Sequence, residues 1–142
     1  MAVTKKKRTP VSFLEECRQW AERELDHRYG YRLSNPVSIE WEVPDPVHVE
    51  RDVGGSVELV SLAPPACSHL RDRRIFLHPY IWDSSAPVYV SRYLVYHELL
   101  HFFLPPSRGE SHHELFLQRE RAAPQRISAK RWLKNNDFPV LE

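Results

Sequence analysis

The chain has 142 residues, with 20 Lys and Arg against 19 Asp and Glu and 42% hydrophobic residues. That is enough for one compact core, and neither charge is in such surplus that a highly charged partner is demanded. Two cysteines, Cys17 and Cys67, exclude a disulfide framework and any Cys-x-x-Cys zinc ribbon.

Such thiols fit a reducing compartment, so the cytoplasm is the expected location. The N-terminus is basic, but no apolar run of the signal-peptide kind follows it, and no stretch approaches the roughly 20 apolar residues of a membrane span. No membrane partner is expected. Residues 1–8 read as a disordered basic tail and residues 9–142 as a single domain.

A helix is expected to start near Thr9-Pro10 or at Ser12, where Ser12 and Glu15 have capping-box spacing. It places Leu14, Cys17, Ala21 and Leu25 on one stripe, widened by Phe13 and Trp20, and ends around Gly30. Val37, Ile39, Trp41 and Val43 then alternate with polar residues, as in a strand with one buried face. Val47 to Val53 and Ser56 to Leu62 flank Gly54-Gly55, which predicts a hairpin.

Ala63 to Asp72, with Pro64-Pro65, reads as loop, and Arg73 to His78 as a last short strand stopped by Pro79. Between Pro87 and Pro105 the run from Val88 to Leu104 is apolar almost all round, the pattern of a buried helix. A further helix is expected from Ser111, with Glu114 three residues on as its capping partner. Trp132 and Leu133 anchor a final turn or helix. One helix, a run of strands, then helices is an α+β order.

The buried helix carries His97-Glu98-Leu99-Leu100-His101. Positions 97 and 101 are one turn apart on one face, so two imidazoles can grip one cation, with Glu98 about 100° round the helix beside it. A chance His-Glu-x-x-His arises roughly 0.04 times per chain of this composition, so the string alone is only suggestive. Context sharpens it, because three ionisable groups interrupt an apolar helix, and burying them without partners costs roughly 1–3 kcal/mol each or more. A zinc ion supplies the missing partner and acidifies a bound water, and the adjacent carboxylate can take that water's proton.

Tetrahedral zinc wants a third protein ligand. On the next helix Leu115, Phe116, Ala122 and Ala123 define the apolar face. His112 projects between Leu115 and Phe116, while His113 turns about 100° towards solvent. The projection favours His112, with His113 and Glu114 as the remaining alternatives. No carboxylate can be assigned to orient a ligand histidine.

The stretch from Arg73 to about Glu120 resembles the SprT-like and related minimal zincin metallopeptidases. It reads RRIFLHPYIW, a proline-started helix ending in YHELLH, a loop, and SHHELF. His112 and Phe116 have the family's spacing between the third histidine and a following aromatic residue. The resemblance implies His97, His101 and His112 as zinc ligands, Glu98 as general base, and peptide-bond hydrolysis of a protein or peptide substrate. It also implies a minimal zincin-like domain: an N-terminal helix, a small mostly antiparallel sheet, the buried His-Glu-x-x-His helix and a following ligand-bearing helix. The strand before the active helix, Arg73 to His78, becomes an exposed edge for an extended peptide.

This chain departs from the family in having His112-His113 where His-Gly is common, Pro105-Pro106 between the ligands, and no zinc ribbon. Tyr89, Tyr93, Tyr96, His113 and Arg119 are conceivable oxyanion donors, among which the sequence does not choose. The competing reading is a non-catalytic, zinc-stabilised peptide- or nucleic-acid-associated module. Lys5 to Arg8 and the cations of residues 117–134 allow weak nucleic-acid contact, although a solvated tail and a solvated helix face explain them as well.

Overall fold

The computed structural model describes residues 8–139; the expected basic tail, apart from Arg8, lies outside them. Helix α1 spans Pro10–Tyr29. Thr9 caps it through reciprocal bonds with Ser12, Pro10 occupies the first turn, and Gly30 closes it at φ 70. The capping box is therefore Thr9–Ser12 and not Ser12–Glu15; Glu15 instead pairs with Arg18. Phe13, Leu14, Cys17, Ala21 and Leu25 form the buried stripe.

Strand β1 (Ser38–Trp41) is shorter than the alternating pattern suggested, and Val43 is exposed. Strands β2 (Val47–Val53) and β3 (Ser56–Leu62) form the expected hairpin, with Gly54 at φ 59 and Gly55 at φ 87 in the two-residue turn. It is a two-stranded sheet of its own.

The segment expected to be loop contains strand β4 (Ala66–His69), antiparallel to β5 (Arg74–Leu77), which in turn runs parallel to β1. Two of the three strand pairings are thus antiparallel. The order β1-β5-β4 overturns the expectation that Arg73 to His78 is an exposed edge. Its residues are paired on both sides, and Ile75 and Leu77 are wholly buried. The edges are β1 and β4, and the outer side of β4 meets no strand among the described residues. Ala-Cys-Ser-His has little strand propensity, so its extended form comes from pairing with β5.

His78 is the N-cap of a short helix α2 (Pro79–Asp83), accepting from the Tyr80 amide at 3.1 Å. Helix α3 (Val88–Phe103) follows and is the centre of the molecule, touching α1, β4, β5 and the two helices after it. Every residue from Val90 to His101 except Arg92 is buried. Burying each large aliphatic side chain here is worth roughly 1.5–3 kcal/mol, which fixes the helix against rotation.

Helix α4 (Glu114–Arg121) starts later than expected. His113 is its cap, with Nδ1 accepting from the Phe116 amide at 3.3 Å, so the expected Ser111–Glu114 capping box does not form. Helix α5 (Arg126–Asn135) carries Trp132 and Leu133 and packs on α3. No helix among the described residues is long and apolar enough to cross a membrane.

Candidate metal centre

One turn of α3 brings His97 and His101 to the same face, with ring centroids 5.2 Å apart. His112 arrives from the connection before α4, and its Nε2 lies 3.3 Å from His101 Nε2. One nitrogen from each of the three rings falls within 4.8 Å of the other two. Two nitrogens at ordinary zinc distances and tetrahedral angles are about 3.3 Å apart, so the donor set and spacing fit a zinc-sized ion. His113, adjacent in sequence, is spent on the α4 cap and is outside this group.

Phe116 is wholly buried beneath the cluster. Its ring stacks on His101 (4.3 Å) and His112 (4.9 Å) and meets His97 edge-on (5.2 Å). The four-residue spacing from His112 to Phe116 thus has a physical reason: the aromatic ring is the floor on which the imidazoles rest.

Burial, with repulsion from His97, His112 and His113, lowers the His101 pKa to about 3. The ring is neutral at ordinary pH, the form that donates a lone pair to a metal.

Glu120, the lone acid of the basic C-terminal stretch, is the feature least visible in the sequence. It is buried with Phe116 on one face of α4. It accepts from the Tyr93 hydroxyl and from Arg126 Nε at 2.7 Å, and lies 3.4 Å from His97 Nδ1. Burial pushes its carboxyl up, but the bonds from His97, Tyr93 and Arg126 outweigh that and hold it at about 2. An ionised Glu120 favours the His97 tautomer with the proton on Nδ1, leaving Nε2 for the centre. An acid one turn after Phe116, on the face that carries the aromatic floor, was the available signal.

Glu98 is buried and bonded to the Ser68 side chain on β4; burial raises its pKa. It lines a small cavity of about 40 Å³ with His97, Ala66, Leu94, Leu133 and Lys130. A second cavity, of about 280 Å³, lies beyond His97 and His112 and is bordered by Arg121, Arg126 and Lys130. Of the conceivable oxyanion donors, Tyr93 gives its hydroxyl to Glu120, Tyr96 gives its own to the Arg119 carbonyl, and the Arg119 guanidinium lies over the Tyr29 ring. Tyr89 lines neither cavity. Two polar residues border both cavities, His97 and Lys130, the latter read from sequence as part of a solvated face.

No family model and no curated protein matches this sequence. Solved structures do. The metallopeptidase zymogen abylysin of Pyrococcus abyssi superimposes with a TM-score of 0.56 at 17% identity, over 90% of this chain and 99% of that one. The metallopeptidase zymogen jannalysin of Methanocaldococcus jannaschii gives 0.58 at 13% identity, over 97% and 98%. The chain shares its α+β fold with these two metallopeptidase zymogens.

Proposed function

We propose that this protein is a zinc-dependent metallopeptidase, with residues 9–142 as one catalytic domain. The observation that carries the reading is the convergence of His97, His101 and His112 from two separate segments, beside a buried carboxylate that lines a cavity. The Arg73 to Glu120 resemblance to SprT-like and related minimal zincins supports the same roles, and the fold agrees with them. A zinc ion held by the three imidazoles supplies a Lewis acid and a water acidified towards neutral pH.

The chain's own residues do the rest. Glu98 takes the proton of the attacking water and delivers it to the leaving amine; its raised pKa makes it a better base than an exposed carboxylate. Glu120 holds His97 in the ligating tautomer and orientation. The outer edge of β4 offers main-chain groups to an extended peptide, laying it past Glu98. The two free cysteines support the cytoplasm as its place of work.

The test is hydrolysis of an unfolded protein by the zinc-loaded chain and by Glu98→Gln. The variant is expected to keep zinc and fold while losing at least about a hundredfold in turnover. Equal activity of the two proteins contradicts the mechanism. A zinc-loaded parent that binds but never cleaves points to the non-catalytic binding module.

A further inference from the structure

Helix α4 has only 8 residues, below the roughly 12–15 at which a helix begins to hold itself together. Yet it carries Phe116, on which the imidazoles rest, and Glu120, which lies against His97. The connection before it, residues 105–111, is exposed and offers little support.

Support comes from behind, where the end of α1 reaches α4 through long side chains. The Arg119 guanidinium lies over the Tyr29 ring, 4.4 Å from its centroid, and Tyr96 of α3 donates its hydroxyl to the Arg119 carbonyl at 3.3 Å. Arg28 donates to the Ala122 carbonyl at the end of α4. Tyr29 also packs on Tyr31 at 5.3 Å, and Tyr31 stacks on Phe103 at 5.1 Å, two residues after His101. The Tyr29 hydroxyl interacts with Tyr96 and Arg28 as well. One ring thus links the two pieces that build the centre: α3 through Tyr31 and Phe103, and α4 through Arg119. The buried Arg119 Nε makes no hydrogen bond among the described residues. Such a donor is a cost that calls for a compensating gain, and the stack on Tyr29 supplies it.

From this arrangement we infer that Tyr29 and Arg119 are positioning residues of the metal centre. They set the spacing of α3 and α4, so that the imidazoles are ordered on folding and not at the expense of metal affinity. The inference rests on the metal-centre reading and extends it to residues that border neither cavity beside the imidazoles.

The experiment uses the full chain, with zinc affinity read by competition with a chromogenic chelator. The visible absorption of the cobalt(II) form reports ligand geometry. Both are measured below the metal-free unfolding transition of every variant. Tyr29→Leu and Arg119→Met are each expected to lower zinc affinity about tenfold and to shift or weaken the cobalt bands, whereas Tyr29→Phe, which keeps the ring, stays within about twofold of the parent. The double variant should lose little more than the worse single one, because the two side chains act as one contact. Leu14→Ala, a buried change at the other end of α1, should lower the metal-free melting temperature without moving either readout.

Unchanged affinity and cobalt bands in both Tyr29→Leu and Arg119→Met overturn the inference and leave the metal centre intact. So do equal losses for Tyr29→Phe and Tyr29→Leu, or an equal loss for Leu14→Ala. Should Tyr29→Leu not fold, Arg119→Met decides alone. A parent that takes up neither zinc nor cobalt sinks the metal-centre reading itself, and the inference with it.

Discussion

His112 and His113 are neighbours in sequence with different surroundings. His112 joins the imidazole cluster over Phe116, and His113 turns back to cap α4. Projection on a helix singled out His112, yet His112 precedes the helix, so its position comes from stacking on Phe116 and not from helical phase. His112→Ala is expected to lower zinc affinity at least about a hundredfold, measured by competition with a chromogenic chelator. His113→Ala should keep the metal and cost about 1 kcal/mol of stability through the lost cap. The reverse pattern would reassign the third ligand.

Glu120 was hard to read because a single acid among arginines looks like a surface residue, and its partners are brought to it by two other helices, His97 and Tyr93 by α3 and Arg126 by α5. Its carboxyl is held at about 2 against an ordinary 4.5, so the stability it contributes is present above about pH 4.5 and is lost as pH falls through 2. In the metal-free protein, Glu120→Gln should be less stable than the parent by about 3 kcal/mol near neutrality, on an order-of-magnitude scale. Urea unfolding should show the gap narrowing between about pH 5 and pH 2. A gap independent of pH would contradict an ionised, bonded Glu120.

At the scale of elements, patterns with strong local causes were readable. The buried helix between Pro87 and Pro105, the Gly54-Gly55 hairpin and the stripe of α1 follow from periodicity and turn chemistry. What sequence did not reveal depends on tertiary pairing. β4 is extended because β5 is beside it, and β5 is central because the chain returns to pair on both its sides. The start of α4 shifted because a histidine ring took the capping role usually held by Ser or Thr.

The candidate centre joins α3 to the connection ahead of α4, two pieces otherwise linked by an exposed run, residues 105–111. Metal binding should therefore stabilise the folded state, by about 4 kcal/mol at a thousandfold excess of zinc over its Kd. Thermal unfolding of the zinc-loaded and chelated protein should differ by several degrees, and His101→Ala should behave like the chelated parent. Identical transitions would mean that the ion does not hold these elements together.

For the whole molecule, a sequence matching no family model and no curated protein still adopts the architecture of abylysin and jannalysin at 17% and 13% identity. Few residues need agree for that. An apolar helix buried on all sides, a short sheet across it and one aromatic floor suffice to present histidines from two segments to one point. The cavities on either side are bordered only in part by the C-terminal helices, through Leu117, Glu120 and Arg121 of α4 and Arg126, Lys130 and Leu133 of α5.

The central claim is that His97, His101 and His112 hold one zinc ion. Diffraction data collected above and below the zinc absorption edge from crystals of the purified chain test it most directly. A single anomalous peak is predicted within about 2.0–2.1 Å of one nitrogen of each ring, with Glu98 beside it and not bonded to it. A peak ligated by His113 in place of His112, or three imidazoles that stay apart with no peak after zinc addition, would contradict the account.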